Sequence, residues 1–229
     1  MIAHLIALAL AAQTASAVPD YPPSDGGEID PDYEACIAGL AENVVKGRDA
    51  ASKWYAEGGG APALHCLAVA DLAAGHPKLS AVHLEELADR PDAGDKLVRA
   101  RILSQAARAW LEAGENDFAE KALDAAFADA PGAGELYLVK AAVKFAQGEM
   151  QATIDAVTEA EKQGVTAPEG YVLRGRALHA LARNREAADD VVAALKLDPL
   201  NVDALTLRGD LHQAGVDIKT HYRSADDKD

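Results

Sequence analysis

The fold is decided by a stretch near the C-terminal end, residues 168–199, which read PEGYVLRGRALHALARNREAADDVVAALKLDP. Gly175 in this stretch belongs to a series of small residues, Ala107, Ala141, Gly175 and Gly209, that follow one another every 34 residues. A period of this length fits a helix–turn–helix unit, because two short antiparallel helices and their turns fill it. Units of this kind stack side by side into a solenoid.

Further positions repeat in the same phase. Seven residues after the small ones, where each first helix should end, lie Gly114, Gly148, Ala182 and Val216. The second helices repeat small or apolar residues at three phases, which are Ala119, Thr153 and Ala187, then Leu123, Val157 and Val191, then Ala126, Ala160 and Ala194. Small residues at fixed phase let helices approach closely, and a glycine just past a helix end suits the left-handed cap. The pattern predicts helices at 33–44, 48–57, 61–74, 78–89, 95–113, 117–129, 134–147, 151–163, 168–182, 185–197 and 202–214.

The chain resembles the tetratricopeptide repeat (TPR) family. One repeat matches the family pattern at Tyr171, Gly175, Leu178, Ala187, Ala194 and Pro199, and another matches it at Leu103, Ala107, Trp110, Ala119, Ala126 and Pro131. The repeat between them is degenerate, with Lys144 where an aromatic residue is expected and Val165 where proline is expected. The resemblance implies an all-α, right-handed superhelical solenoid of about five antiparallel helix pairs plus a C-terminal capping helix. It covers residues 32–216 and is clearest over 95–215.

The resemblance also implies a binding groove. In this family the concave wall is built from the first helix of each repeat. Carried onto this chain, the binding-groove residues are Arg101, Ser104, Arg108, Leu138, Phe145, Val172, Arg176 and His179. We therefore expect a protein or peptide partner with apolar anchors at Leu138, Phe145 and Val172 and charged flanks near the arginines.

The N-terminus predicts export. Residues 2–12, IAHLIALALAA, form a short apolar run that is followed by the small-x-small site Ala15-Ser16-Ala17. We interpret residues 1–17 as a signal peptide cleaved before Val18, although the run is preceded by no lysine or arginine. The alternative is a buried N-terminal helix. The mature protein is then expected in the periplasm without a membrane span, with a flexible tether at 18–31 and a charged tail at 217–229.

The formal net charge is −15 at pH 7. An acidic protein repels nucleic acid, so no nucleic-acid partner is expected. A basic or zwitterionic partner is favoured, but solubility alone explains the charge equally well.

The two cysteines, Cys36 and Cys66, test how the N-terminal helices are divided. If 33–57 were one helix, the cysteines would lie too far apart to bond. If Gly47-Arg48-Asp49 breaks that helix, Cys36 and Cys66 fall near the starts of two parallel first helices. We favour the broken helix and a Cys36–Cys66 disulfide, with two buried free thiols as the alternative.

Reactive chemistry has little support in the sequence. No two histidines show the i, i+4 spacing of a zinc helix, and no glycine-rich phosphate loop or serine nucleophile elbow is present. We therefore expect no metal, no cofactor and no enzymatic activity. The leading hypothesis is a periplasmic protein-interaction scaffold that serves assembly or maintenance of the cell envelope. The alternative is an enzyme or small-ligand-binding protein with a site near Trp54, His65 and Cys66.

Overall fold

The computed structural model describes residues 30–218. All regular elements in this range are helices, which confirms the all-α prediction. The helices are α1 (Pro31–Glu42), α2 (Val44–Ala56), α3 (Gly60–Ala73), α4 (Pro77–Ala88), α5 (Lys96–Glu112), α6 (Asn116–Asp129), α7 (Gly134–Ala146), α8 (Met150–Lys162), α9 (Pro168–Ala180), α10 (Asn184–Leu197) and α11 (Val202–Gln213). The chain forms two compact units, Met1–Val139 and Lys140–Asp229, and the division between them falls within α7.

Each unit is built from helices that pack against their neighbours in sequence. In the first unit α1 to α6 form this series, and in the second unit α8 to α11 do. The small repeat positions of the second helices lie in the core, at Ala119, Thr153, Ala187, Ala126, Ala160 and Ala194. The seam between paired helices is filled by Leu123, Val157 and Val191, which are also buried. The positions that repeat every 34 residues are therefore the positions at which the helices pack against one another.

The first-helix position of the repeat behaves differently at the C-terminal end. A Cβ atom on Gly175 would lie 2.8 Å from Leu207 Cδ2, whereas a Cβ atom on Gly209 would meet nothing within 4 Å. Gly209 lies on α11, and the described chain after this helix forms no second helix that would pack against it. The expectation that both glycines sit in tight contacts is therefore wrong for Gly209.

The turn after each of the first helices α5, α7, α9 and α11 contains a residue in the left-handed conformation. This residue is alanine in one repeat, and in the last repeat it lies one position earlier. Gly114, Gly148 and Ala182 have φ values of 75°, 79° and 59°. Alanine tolerates this conformation less well than glycine, so Ala182 is a point of backbone strain. In the last repeat Gly215, with a φ of 83°, takes this conformation one residue before Val216.

The break between α1 and α2 lies earlier than the sequence indicated. Asn43 is extended and ends α1, and its side chain accepts a hydrogen bond of 3.0 Å from the backbone N–H of Lys46 at the start of α2. Gly47 does not break the helix. A Cβ atom on Gly47 would lie 2.8 Å from Leu40 Cδ2 and 2.9 Å from Leu40 Cα, so this glycine permits the close crossing of α1 and α2.

The Cys36–Cys66 disulfide is present and is confirmed. It joins α1 to α3 with the two Cα atoms 6.5 Å apart. Tyr33, Leu40 and Leu67 form a small apolar cluster around the bridge. The N-terminal helix is thus held by a covalent link as well as by packing.

Both predicted terminal segments extend beyond the described residues. The signal peptide at 1–17 lies outside them, as do residues 18–29 of the tether. The last residue assigned to the tether, Pro31, is the first residue of α1. Of the tail at 217–229, only residues 217 and 218 are described, and Ile218 packs against the core of the second unit. Within residues 30–218, no helix is both long enough and apolar enough to cross a membrane.

Candidate binding surface on the first helices

Helix α5 carries three of the predicted groove residues. Its N-terminus is fixed by Asp95, whose carboxylate accepts a hydrogen bond of 2.9 Å from the backbone N–H of Val98. Arg101 and Arg108 are exposed, and Ser104 between them is half-buried. Residues seven apart lie on one face of a helix. The two arginines therefore form a cationic strip on the exposed side of α5.

A third arginine of α5 has a different role. The Nε–H of Arg99 donates to the backbone carbonyl of Ala88 at 3.0 Å, and its guanidinium also pairs with Asp89 and Asp129. Arg99 thus ties α5 to the end of α4 and to α6. Arg99 is therefore not part of the cationic strip, which is defined here as the exposed Arg101 and Arg108.

Leu138 on α7 completes the predicted groove residues of the first unit. Its side chain is half-buried. The preceding residue, Tyr137, packs edge-on against Phe127 of α6, with ring centroids 5.0 Å apart. This contact fixes the N-terminal part of α7 within the first unit and leaves part of Leu138 at the surface.

In the second unit the predicted apolar anchors are used for packing. Val172 is 4% exposed and belongs to the core cluster together with Leu178 and Leu207. Phe145 is half-buried and packs against the same cluster. The chain itself covers Val172, so among the apolar side chains of this unit predicted to line the groove only Phe145 has exposed surface.

The polar groove residues of the second unit are paired within the chain. Arg176 on α9 donates to the carboxylate of Asp203 on α11 at 2.6 Å. His179 Nδ1 lies 2.8 Å from the side-chain oxygen of Asn184. A partner that binds Arg176 has to compete with Asp203, so this residue is a weaker cation for a ligand than its charge alone indicates.

His65, the centre of the alternative site, is sealed in the core. Its side chain is fully buried, with Nδ1 2.9 Å from the hydroxyl of Tyr33 and Nε2 2.8 Å from Oε1 of Gln105. Burial lowers the pKa of His65 to about 4, although the hydrogen bond to Gln105 acts in the opposite direction. The imidazole is therefore neutral at pH 7. Its Nε2–H donates to the Gln105 carbonyl oxygen, and its Nδ1 accepts from the Tyr33 hydroxyl.

The other two residues of the alternative site are also committed to structure. Cys66 is bonded to Cys36. Trp54 packs over the glycine turn, where a Cβ atom on Gly59 would lie 2.5 Å from Trp54 Nε1. Trp54, His65 and Cys66 thus serve packing and cross-linking. Within residues 30–218, no cluster of three or more histidine, cysteine, aspartate or glutamate side chains has the geometry to hold a metal ion.

A second buried polar cluster on α3 was not anticipated. Asp71 is fully buried, and its carboxylate accepts from Arg48 Nε at 2.6 Å and contacts His83 Nδ1 at 2.9 Å. The cluster ties α2, α3 and α4 together. A signal for it existed in the sequence, because Asp71 is the one charged residue in the apolar segment ALHCLAVADLA, and a charge in a buried helix needs partners.

Comparisons with known proteins agree on the fold. No family model matches the chain, and no curated protein matches it significantly. Among solved structures it is similar to TTC0263, a thermophilic TPR protein of Thermus thermophilus, with a TM-score of 0.59 and 20% identity, covering 80% of this chain and 96% of that one. It is also similar to MamA, from residue 41 to the end, of Desulfovibrio magneticus RS-1, with a TM-score of 0.58 and 13% identity, covering 75% of this chain and 93% of that one. At these identities the similarity shows the fold alone.

Proposed function

We propose that this chain, which has the fold of the TPR proteins, is an exported scaffold that binds a peptide segment of another protein on the faces of its first helices. The observation that carries the proposal is the cationic strip on α5. Arg101 and Arg108 are exposed on one face of a rigid helix, in a chain whose formal net charge is −15. Exposed arginines attract the carboxylates of a ligand segment at short range, while the net negative charge of the chain opposes this attraction at long range.

The chemistry of the surface defines the class of partner. Two guanidinium groups two helical turns apart suit a segment that carries carboxylates at a matching spacing. In the first unit Leu138 adds a partly exposed apolar side chain. We therefore propose an extended or helical peptide with acidic residues beside at least one apolar anchor. The exposed parts of Phe145, Arg176 and His179 are proposed as a separate contact surface of the second unit.

A selection from a random peptide library on the mature, oxidised protein tests this proposal. We expect enrichment of peptides rich in aspartate and glutamate around apolar residues. The variant Arg101→Ala/Arg108→Ala should bind the enriched peptides about tenfold more weakly, because two lost charge pairs at roughly 0.7 kcal/mol each add up to about 1.4 kcal/mol. The effect should shrink at high salt, since screening weakens exposed ion pairs.

The matched control removes two charges elsewhere. Arg185→Ala/Lys196→Ala loses two exposed cations from α10, a second helix. It should leave affinity for the selected peptides nearly unchanged. An equal loss in both double variants would mean that net charge, and not the α5 surface, governs binding. The arginine substitutions test the binding surface more directly than Phe145→Ala, because Phe145 also packs against the core of its unit and its loss could lower stability as well as binding.

Export is the second part of the proposal. It is supported by the apolar run and small-x-small site at the N-terminus, and by a disulfide of the kind that persists in oxidising compartments. We expect the purified periplasmic protein to begin at Val18 and to serve assembly or maintenance of the envelope. Intact-mass analysis of fractionated cells checks this location. Full-length protein with Met1 in the cytoplasmic fraction would contradict it.

A further inference from the structure

The N-terminal helix α1 has a small apolar attachment. Of its 12 residues only Tyr33 and Leu40 are buried, while Cys36, Ile37 and Gly39 are half-buried. Its exposed positions are Pro31, Asp32, Glu34, Ala35, Ala38, Ala41 and Glu42. A helix this short is marginal on its own in water, and few buried side chains offset the ordering of its backbone. The position of α1 therefore depends strongly on the disulfide.

The disulfide and a hydrogen bond hold α1 at one place on α3. Cys36 bonds to Cys66, and Tyr33, one helical turn before Cys36, hydrogen-bonds His65, the neighbour of Cys66. Once the covalent bond is lost, α1 is held by this hydrogen bond, by the small apolar cluster around Tyr33 and Leu40, and by its crossing with α2 at Leu40 and Gly47. The hydrogen bond and the cluster protect the same buried patch of α3.

The next helix, α2, has anchors on α3 and α4 besides its crossing with α1. Arg48 on α2 pairs with the buried Asp71 of α3 at 2.6 Å, and the hydroxyl of Tyr55 on α2 donates to Glu86 of α4 at 2.6 Å. Neither contact involves a residue of α1. The boundary between α1 and α2 at Asn43, where the backbone is extended, is the natural point at which the two helices separate.

We propose that the Cys36–Cys66 bridge is a redox latch: its reduction by a dithiol releases α1 and uncovers the face of α3 around His65 and Cys66, while α2 to α6 stay folded. The proposal does not depend on the identity of any binding partner. A thiolate of the dithiol attacks Cys36 Sγ, the sulfur of the half-buried cysteine, and Cys66 leaves as a thiolate that takes up a proton. The second thiol then displaces Cys36 as a thiol, so two electrons pass to the protein and the reductant becomes a disulfide.

Hydrogen exchange of the full mature chain, with and without dithiothreitol, tests this latch. The amides of 31–42 should exchange at least about a hundredfold faster after reduction, because the bridge closes a loop with a sequence separation of 30. Exchange in α3 to α6 should be unchanged. The variant Cys36→Ser should show fast exchange of 31–42 in both conditions and should not respond to dithiothreitol.

Titration of His65 by NMR supplies a second readout. Burial lowers the pKa of His65 to about 4, and release of α1, which carries the Tyr33 hydroxyl beside the ring, should raise this pKa towards the ordinary value of 6.5. Three outcomes overturn the proposal: a bridge that dithiothreitol fails to reduce in the folded protein, protection of 31–42 that survives reduction, or loss of protection throughout α1 to α6. The last outcome would mean that the bridge stabilises all of α1 to α6 and not the position of α1 alone.

Discussion

Replacing Gly175 with leucine is expected to lower the free energy of unfolding by about 2 kcal/mol. A Cβ atom at this position already lies 2.8 Å from Leu207 Cδ2 and 3.4 Å from Asp190 Cβ. Leu207 is buried, so it cannot turn into solvent to make room. Overpacking of this kind typically costs 1–3 kcal/mol, about 3 for a side chain as large as leucine, and the better helix propensity of leucine returns a little under about 1 kcal/mol.

The matched control is Gly209→Leu, at the same repeat position of α11. A Cβ atom there meets nothing within 4 Å, so only the gain in helix propensity remains, roughly 0.5–1 kcal/mol in favour of the variant. Denaturant unfolding followed by circular dichroism should therefore shift in opposite directions for the two variants. Equal destabilisation by both would mean that α11 is covered by an element beyond the described residues. No change for Gly175→Leu would contradict the packing of α9 on α11.

The sequence predicts the helices well because their cause is local and periodic. The phase of the small residues is the phase of helix contacts, as Ala119, Ala126 and their equivalents show. A repeat position does not tell whether the next helix is present, and for that reason Gly175 and Gly209 differ. Helix propensity favours a break at Gly47-Arg48-Asp49, but in the structure Asn43 supplies the cap before α2 and Gly47 permits a close crossing with α1.

The candidate site was less accessible to sequence reasoning. A family position assigns a residue to a helix face, but it does not say whether a neighbouring helix covers that face. Val172 therefore lies in the core, and Arg176 is paired with Asp203, a residue 27 positions later in the chain. Arg101 and Arg108 are exposed, as their family positions predict. Pairings between distant residues, such as Arg48 with Asp71, depend on tertiary contacts that no local pattern encodes.

The buried His65 should make the stability of the oxidised protein depend on pH by about 3 kcal/mol between neutral pH and pH 4. Burial lowers the pKa of His65 from 6.5 to about 4 in the folded state. The unfolded chain thus binds one more proton than the folded chain between these values, so protonation favours unfolding. The contribution is complete above about pH 6.5 and is lost as the pH falls to about 4, at roughly 1.4 kcal/mol for each pH unit.

Carboxylates titrate in the lower part of the same window, so the contribution of His65 has to be isolated by difference. The variant His65→Gln keeps a donor towards Oε1 of Gln105 but has no titratable imidazole. Urea unfolding of both oxidised proteins at a series of pH values gives two stability curves. The difference between them should be largest near neutral pH and should shrink by about 3 kcal/mol on acidification, because the wild-type protein alone loses the stability linked to this proton. Curves that remain parallel would show that His65 takes up its proton without leaving the folded state. The hydroxyl of Tyr33 and the amide of Gln105 would then have to reorient around an imidazolium, and α1 would stay docked on α3 in acid.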